Sequence, residues 1–236
     1  MHALLAARRA RRRLLHCGLS AGALLLAGAC GALAAAPARA AAASAGVAAG
    51  PAREIVVVGD SLSAEYGLDR GAGWVALLGQ RLAAEKTGWT VFNASISGDT
   101  TSGGLARLGP LLRRRPGIVV IELGGNDALR GLPLADSRRN LDAMAAQAAA
   151  AGARVVIVGM QVPPNYGRQY GNEFAQMFAD VAAAHQAPLV PFLLKGIADR
   201  PDEADWFQPD HIHPLPKAHP IMLDNVWAVL KPLLKP

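Results

Sequence analysis

The sequence predicts an α/β protein in which helices cover both faces of a parallel β-sheet. Short runs of β-branched residues alternate along the chain with longer segments whose apolar residues recur at helical spacing. One such run, residues 55–58, has four β-branched residues in succession, which is typical of a strand buried on both faces. Glycine and polar residues gather directly after the predicted strands. Because strands and helices alternate strictly, a parallel sheet between two helical layers is expected.

Five short apolar segments are predicted to be the strands. The first ends at Gly59, where a glycine allows the backbone to turn sharply. Two later segments, IVVIE and RVVIV, are runs of the same β-branched kind. The predicted strands are residues 55–58, 90–94, 118–122, 154–158 and 189–191.

Five longer segments are predicted to be the helices. Residues 73–86 carry apolar side chains at helical spacing from Trp74 onward, and residues 102–115 place four leucines on one side. The alanine-rich segment 138–151 ends at Gly152, and glycine is common just beyond the C-terminus of a helix. The chain shows no internal repeat and no second domain. The remaining predicted helices are residues 173–185 and 217–234.

Length and composition indicate one globular domain of up to 236 residues. The formal charge of +6 comes from the first 40 residues, which hold six arginines and no acidic residue. Removing those six from the 24 basic residues leaves 18, which equals the number of acidic residues. The remainder is therefore formally neutral and gives no support to nucleic-acid binding. Both cysteines, Cys17 and Cys30, precede residue 41, so the rest of the chain has no disulfide or thiol chemistry.

Residues 1–40 are predicted to be a secretory signal peptide. A basic segment at residues 8–13 precedes an apolar stretch at residues 14–33. The tripeptide that ends at Ala40 has the small-residue pattern of a cleavage site. The mature protein is therefore expected to begin near Ala41, in the periplasm or outside the cell.

The expected organisation is a signal peptide at 1–40, a flexible small-residue linker at 41–52 and a folded domain at 53–236. An uncleaved leader would be long enough to span a membrane, although its glycine-broken sequence favours a signal peptide. The RRRLL segment resembles a twin-arginine export signal. Cys30 follows an imperfect lipoprotein signal, so lipidation is an alternative of lower rank.

The candidate site residues follow the predicted strands, where open α/β sheets build their sites. Ser61 lies just past the first strand and is a candidate nucleophile, although a serine there could instead cap the next helix. Gly98 follows the second strand, and Asn126 follows the third. Asp210 and His213 lie near the C-terminus, three residues apart. One edge of the sheet is therefore expected to gather these five residues.

These residue types suit acyl transfer, which needs a nucleophile, a base, a group that orients the base, and donors for an oxyanion. The hydroxyl of Ser61 would attack, and the imidazole of His213 would take its proton. Asp210 is close enough in sequence to hold that imidazole through Nδ1. The N–H groups of Ser61 and Gly98 and the side-chain amide of Asn126 would form the oxyanion hole.

Each residue also has a simpler interpretation. Gly98 alone suits a turn, and Asn126 alone suits an Asx turn. Asp60 is expected to bond to local N–H groups rather than join the catalytic residues. His211 and His213 alternate and could form a metal pair, but no third ligand is evident in the sequence. The expectation is therefore a site without a metal or a diffusible cofactor.

The order of these motifs resembles the SGNH subgroup of the GDSL hydrolases over residues 54–234. The segment GDSLS at residues 59–63 is similar to the family's serine block, and Gly98 to its glycine block. The segment GGND at residues 124–127 is similar to its asparagine block, and DHIH at residues 210–213 to its last block. The chain is most similar to the bacterial thioesterase I, protease I and lysophospholipase L1 group, whose members are also called arylesterases.

The resemblance implies a flavodoxin-like, three-layer α/β/α sandwich with about five parallel strands. It also implies that Ser61, Asp210 and His213 form a catalytic triad, with Gly98 and Asn126 as partners of the Ser61 N–H in the oxyanion hole.

Two features depart from related patterns. Leu215 stands where the family often has an asparagine, which could alter the loop that holds His213. The pattern at residues 59–63 lacks the second glycine of the α/β-hydrolase nucleophile elbow. This difference argues against the α/β-hydrolase fold and favours a more open site.

The resulting hypothesis is an exported serine esterase or thioesterase that hydrolyses aryl esters, lysophospholipids and acyl thioesters through an acyl-enzyme. The alternatives are a carbohydrate O-acetyl esterase and, from another class, a catalytically dead lipid- or glycan-binding protein. The expected partner is a small acyl ester or lipid, and the mature protein is expected to be a monomer without stable membrane insertion or nucleic-acid binding. The predicted substrate-pocket residues are Leu62, Asp127, Met160, Pro163 and Tyr166.

Overall fold

The computed structural model describes residues 52–235, so the predicted leader, its cleavage site and most of the linker lie outside the described residues. Within this range, five strands alternate with six α-helices, and no helix is both long and apolar enough to cross a membrane. The strands are β1 (Ala52–Gly59), β2 (Thr90–Asn93), β3 (Pro116–Glu122), β4 (Arg154–Val158) and β5 (Leu189–Val190). The helices are α1 (Trp74–Ala84), α2 (Thr101–Leu112), α3 (Gly125–Leu129), α4 (Leu134–Ala150), α5 (Arg168–Ala184) and α6 (His219–Leu230).

The strands form one parallel sheet in the order β2-β1-β3-β4-β5. This order confirms the predicted α/β class and its flavodoxin-like arrangement. The strand order reverses between β1 and β3, and a crevice forms beyond the carboxyl ends of two strands at such a point. Gly59 at the end of β1 pairs with Glu122 at the end of β3. The segments that carry Ser61 and Asn126 therefore leave the sheet side by side.

Both faces of the central strands are buried, which explains the continuous β-branched runs. In β1, Ile55 and Val57 pack on one face and Val56 and Val58 on the other, and all four are 0% exposed. Helices α1 and α6 cover the first face, and α2, α4 and α5 cover the second. Burial of each such side chain stabilises the fold by about 1.5–3 kcal/mol. The two cores hold the sheet rigid and leave its carboxyl edge open for a site.

Two helices begin earlier than their apolar patterns predict. Helix α4 begins at Leu134, directly after Pro133, and α5 begins at Arg168, directly after Gly167. Polar residues are frequent at 136–140 in α4 and at 168–173 in α5, so the regular apolar spacing starts only at Leu141 and Phe174. The apolar pattern thus located the buried part of each helix and not its start.

The short helix α3 was not predicted, and the closing helix is composite. Gly124, with φ of 128°, precedes α3, and a glycine pair gives no helical signal in the sequence. The predicted helix at 217–234 consists of a 3-10 turn at Pro216–Ala218, then α6, then a 3-10 turn at Lys231–Leu234. Pro232 lies in this last turn, where a proline cannot supply a helical N–H.

Candidate active site

Ser61 lies on the tight turn that follows β1, at the carboxyl edge of the sheet. The N–H of Ser63 donates to the carbonyl of Asp60 at 3.2 Å, so the turn coils like the start of a helix. A Cβ on Gly59 would lie 2.7 Å from Oε2 of Glu122 and 2.8 Å from the side chain of Ser63. Glycine is therefore required at this position, and the close packing fixes the turn that carries the half-buried Ser61.

His213 joins Ser61 to Asp210 through its two ring nitrogens. Nε2 lies 2.8 Å from Ser61 Oγ, and Nδ1 lies 2.7 Å from Asp210 Oδ2. The Asp210 carboxylate can only accept a hydrogen bond, so Nδ1 carries the ring proton and Nε2 accepts from the Ser61 hydroxyl. This arrangement can pass a proton from Ser61 to His213, as general-base catalysis requires.

Hydrogen bonds keep the carboxyl of Asp210 ionised. Its Oδ1 accepts from the N–H groups of Ile212 and His213, both at 3.0 Å. His211 lies between, with φ of 57°, and this left-handed residue folds the chain back over the carboxylate. Burial raises the pKa of Asp210, but the backbone and imidazole bonds from His213 and the N–H of Ile212 together lower it to about 2. The carboxylate is therefore charged at every pH where an esterase works.

Tyr66 and Gln208 hold His213 from two further sides. The ring centroids of Tyr66 and His213 are 4.2 Å apart, with the planes tilted by 36°. The N–H of Gln208 donates to the carbonyl of His213 at 2.7 Å, and its side-chain amide donates to the carbonyl of Tyr66 at 2.9 Å. Sequence reasoning missed both residues, because Tyr66 meets His213 and Gln208 only through contacts distant in sequence and Gln208 belongs to none of the motifs.

The loop that holds His213 is closed by main-chain bonds, which bears on the unusual Leu215. The N–H of Leu215 donates to the carbonyl of Trp206 at 2.8 Å. This bond needs only a backbone N–H, so a leucine makes it as well as an asparagine. The triad distances are accordingly short despite the departure at this position.

Gly98 lies in the loop after β2 with φ of 78°, a conformation that favours glycine. Nη2 of Arg130 donates to the carbonyl of Gly98 at 2.6 Å. The N–H of Asp99 donates to the carbonyl of Ile96 at 3.0 Å, and the N–H of Ile96 donates to the carbonyl of Gly59 at 3.0 Å. These bonds fix the Gly98 loop against the end of β1.

Arg107 on α2 clamps the loops after β1 and β2 together. Its Nε donates to the carboxylate of Asp99 at 2.7 Å, and its Nη1 donates to the carbonyl of Ala94. Its Nη2 donates to the carbonyl of Gly59 at 3.3 Å. This half-buried guanidinium therefore holds the two loops in fixed relative positions. The loops carry the N–H groups of Ser61 and Gly98, which are two candidate oxyanion donors. Sequence reasoning missed this residue, which sits on a helix among leucines.

Asn126 lies in the first turn of α3, a helix that the sequence analysis did not predict. Its Nδ2 donates to Oδ2 of Asp60 at 3.1 Å, so the amide is held beside the turn of Ser61. The proposed nucleophile, base and carboxylate are therefore in contact. The other proposed oxyanion donors, Gly98 and Asn126, lie on neighbouring segments. The predicted residues at this edge are Ser61, Gly98, Asn126, Asp210 and His213.

Two predicted pocket residues lie in the interior. Asp127 is 2% exposed, and its carboxylate accepts from the N–H of Thr101 at 2.9 Å and from the hydroxyls of Thr101 and Ser137 at 2.5 and 3.0 Å. These bonds tie α2 to α4, so the prediction that Asp127 lines the substrate pocket is at odds with its position. Leu62 is 6% exposed and packs in the core on the α1 side of the sheet.

The other predicted pocket residues lie on the segment after β4. Met160 is half-buried against both cores, and Pro163 is exposed. Tyr166 closes a 3-10 turn at Pro164–Tyr166 and stacks on Tyr170 with centroids 5.9 Å apart. A pocket role for these three residues stays a prediction.

The described part of the chain contains no metal-binding cluster. Among residues 52–235, no three His, Cys, Asp or Glu side chains come close enough together to hold an ion, and His211 is exposed without a third ligand. Two surface depressions, of about 540 and 400 Å³, lie between α4 and α5 and at the amino edge of the sheet. Neither is lined by a residue of the predicted triad.

Comparison with known proteins gives consistent matches. The family model for the GDSL-like lipase/acylhydrolase family matches residues 57–221. Esterase TesA of Pseudomonas aeruginosa is 52% identical over 184 residues, which cover 78% of this chain and 90% of the relative. Thioesterase 1/protease 1/lysophospholipase L1 of Escherichia coli K12 is 37% identical over 187 residues, which cover 79% and 87%. The psychrotrophic esterase EstA from Pseudoalteromonas, in a structure inhibited by monoethylphosphonate, is 39% identical with a TM-score of 0.72, covering 77% of this chain and 98% of that one.

Proposed function

Because the chain belongs to the GDSL-like lipase/acylhydrolase family and is an ester-bond hydrolase, we propose that it is a serine esterase and thioesterase that works through Ser61, His213 and Asp210. One observation carries the proposal. His213 lies within hydrogen-bond distance of Ser61 on one side and of Asp210 on the other, at 2.8 and 2.7 Å. A nucleophile, a base and an orienting carboxylate in this relation are the parts that acyl transfer needs.

Acylation begins when Ser61 Oγ attacks the carbonyl carbon of the ester and its proton passes to His213 Nε2. The imidazolium that forms is stabilised by the adjacent Asp210 carboxylate. Collapse of the tetrahedral intermediate breaks the bond to the alcohol or thiol, and His213 returns the proton to that leaving group. Ser61 then carries the acyl group, and a water molecule activated by His213 releases the acid and restores the serine.

The negative oxygen of the tetrahedral intermediate would be bound by the N–H groups of Ser61 and Gly98 and the amide of Asn126. Such donors lower the barrier because they meet charge that exists only in the transition state and the intermediate. Gly98 and its loop are held by Arg130 and Arg107, so little reorganisation is needed when the charge develops.

The surroundings of the site favour an acyl chain as the substrate group. Large exposed apolar side chains lie on the segments after β1, β2 and β3 and on the loop of His213. Apolar surface at the mouth of the site suits lysophospholipids, aryl esters and long-chain acyl thioesters better than a short acetyl group on a sugar. These exposed side chains are Tyr66, Ile96, Leu129, Leu132 and Ile212.

Export is the second part of the proposal, and it rests on the leader at residues 1–40. Cleavage after Ala40 would deliver the enzyme to the periplasm or the medium, where acyl-CoA is absent and lysophospholipids or other esters are accessible. N-terminal sequencing of the exported protein should read from Ala41. A sequence that starts at Met1, or a lipid-blocked Cys30, would contradict this part alone.

The test of the substrate class is a series of p-nitrophenyl esters from acetate to palmitate, run beside lysophosphatidylcholine and acetylated xylan. We expect hydrolysis of the esters of longer acids and of the lysolipid, all lost in Ser61→Ala. Ser61→Ala removes only the hydroxyl of a half-buried residue, so the variant should fold. Turnover of acetylated xylan alone would favour the carbohydrate esterase, and activity that survives Ser61→Ala would remove Ser61 from the nucleophile role.

A further inference from the structure

Two buried carboxyl groups lie directly behind the nucleophile and take no part in the triad. Asp60 immediately precedes Ser61, and Glu122 is the last residue of the neighbouring strand β3. Both residues are only 3% exposed. Burial of a carboxyl is costly unless hydrogen bonds compensate it, so the partners of these two groups indicate what they do.

The two oxygens of Asp60 bind two different segments of the site. Oδ1 accepts from the N–H of Leu62 at 3.0 Å, which holds the turn around Ser61. Oδ2 accepts from Nδ2 of Asn126 at 3.1 Å, which reaches across to α3. The sequence predicted only the first, local kind of bond. The second bond is a contact between residues 66 positions apart, and it connects the nucleophile turn to a candidate oxyanion donor.

Glu122 holds the backbone of Asp60 through hydrogen bonds. Its Oε2 accepts from the hydroxyl of Ser63 at 2.6 Å and from the N–H of Asp60 at 3.3 Å. The hydroxyl oxygen of Ser63 in turn accepts from the indole N–H of Trp74 at 3.1 Å, and Trp74 is fully buried. The network fixes the backbone of Asp60, so its carboxylate has little freedom to move away from Asn126.

Burial raises the pKa of both carboxyls. Burial raises the pKa of Asp60 to about 6, although the Leu62 N–H, nearby His213 and the Asn126 amide oppose the rise and Asp99 adds to it. Burial, together with the charge of Asp60, raises the pKa of Glu122 well above its ordinary value. Asp60, whose pKa is about 6, is therefore ionised above neutral pH.

We propose that Asp60 is a positioning residue that acts through Asn126. The amide group of Asn126 has two N–H bonds, and the Asp60 carboxylate accepts one of them. That bond sets the orientation of the amide, so the nitrogen rather than the carbonyl oxygen is presented to the substrate. The second N–H is then available for the oxyanion. The proposal rests on the proposed esterase function and assigns one further residue to it.

Asparagine at position 60 would disturb this arrangement while keeping its shape. An amide has one acceptor oxygen and one donor nitrogen, so it cannot accept from both the Leu62 N–H and the Asn126 amide. The nitrogen of the new amide, itself a donor, would then face either the Leu62 N–H or the Asn126 amide N–H. Asn126 could relieve that conflict by rotating its amide, which would direct a carbonyl oxygen at the oxyanion.

The test is a double-mutant cycle with Asp60→Asn, Asn126→Ala and the double variant, assayed on a p-nitrophenyl ester at pH 8. We expect Asp60→Asn to lower kcat by about 10- to 100-fold with KM within about threefold, as expected when a catalytic group is misplaced. Once the Asn126 amide is gone, Asp60 has nothing to position. The double variant should therefore lie within about threefold of Asn126→Ala alone.

Effects that multiply in the double variant, or a kcat unchanged by Asp60→Asn, would overturn the proposal. The control is Asp127→Asn, which alters a carboxyl that is equally buried and directly beside Asn126 but bonded to Thr101 and Ser137. It should leave kcat within about threefold, because its bonds lie between α2 and α4. A wild-type enzyme that fails to react with a fluorophosphonate would instead refute the proposed serine mechanism, so the two failures are distinguishable.

A measurement on the wild-type protein covers the case in which Asp60→Asn does not fold. In side-chain amide NMR spectra, one Nδ2 proton of Asn126 should exchange slowly with solvent, because Asp60 accepts it in a nearly enclosed position. Its resonance should also move as Asp60 titrates, in the His213→Ala variant as well as in wild type. Two fast-exchanging protons without a pH response would show that Asp60 does not hold this amide.

Discussion

The orientation of His213 depends on a carboxylate that only accepts hydrogen bonds. With the pKa of Asp210 at about 2, that carboxylate stays ionised and holds the ring proton on Nδ1. In Asp210→Asn the amide can donate to Nδ1 and favour the wrong tautomer, so kcat should fall by about 10⁴. The measurement is steady-state hydrolysis of a p-nitrophenyl ester.

Asp202 provides the matched control for this variant. Its carboxylate lies on the same C-terminal segment but pairs with Arg200 and the indole of Trp206. Asp202→Asn should keep kcat within about twofold. If Asp210→Asn kept more than a tenth of the wild-type kcat, Asp210 would not orient the base.

Asn126 should contribute to kcat more than to KM. An oxyanion donor bonds best to charge that develops in the transition state, so Asn126→Ala should cost about 2.7–4 kcal/mol, seen mainly as a lower kcat. The variant should fold, since Asn126 lies at the partly exposed start of α3. A raised KM with an unchanged kcat would instead make Asn126 a contact for the bound substrate.

The residues of the proposed triad have local signals in the sequence, and the residues that hold them do not. Ser61 follows a recognisable strand, and Asp210 and His213 are close together in the chain, so both signals are local. Tyr66 and Arg107 act on His213 and the Gly98 loop through contacts that exist only after the chain has folded. Composition and residue spacing do not indicate such long-range contacts.

The turn after β1 buries the carboxyl of Asp60, and this burial should destabilise the fold as the pH rises through about 6. A pKa raised from 3.8 to about 6 means that the folded state holds its proton more tightly than the unfolded state. The stability that protonated Asp60 provides is complete below about pH 4 and is lost as the pH rises through about 6. The loss amounts to about 3 kcal/mol.

The Asp60→Asn variant measures this loss, because a neutral amide does not titrate. The free energy of unfolding of the variant minus that of wild type should rise by about 3 kcal/mol between pH 4 and pH 7.5. Denaturant unfolding at several pH values gives this difference, and contributions from other groups, such as the buried His219, largely cancel in it. A difference that is constant with pH would show that burial does not raise the pKa of Asp60 in the folded protein. A rise would mean that the ionised carboxylate of Asp60 lowers the free energy of unfolding, a cost in stability that is common at functional sites.

The strands were predictable because burial on both faces demands runs of β-branched residues, as in β1 and β3. Helix α3 was not predictable in the same way. It is a single short turn that begins at the second residue of a glycine pair, and its two buried residues, Asp127 and Ala128, give no periodic apolar signal. It forms at the sheet edge, where Asp127 meets residues of α2 and α4.

The molecule as a whole places its chemistry where the sheet reverses its strand order. Two apolar cores fix β1 and β3, the segment after β1 carries the proposed nucleophile, and residues 52–235 contain no cluster of three metal-ligating side chains. We therefore expect hydrolysis to need no metal. Dialysis against EDTA should leave kcat within about 10% of the untreated enzyme, since every group in the mechanism is a side chain or a backbone N–H. Loss of activity that zinc restores would contradict this expectation.

The identity of the nucleophile can be read from the protein itself. A fluorophosphonate should form a bond between its phosphorus and Ser61 Oγ, with release of fluoride, and peptide mass spectrometry should place the whole mass increment on Ser61. The His213→Ala variant should label at least 100-fold more slowly, because the base that activates the hydroxyl is gone. Exclusive and His213-dependent labelling of Ser61 is the predicted result. Labelling of another residue, or no labelling of an enzyme that still hydrolyses esters, would contradict a serine mechanism at this site.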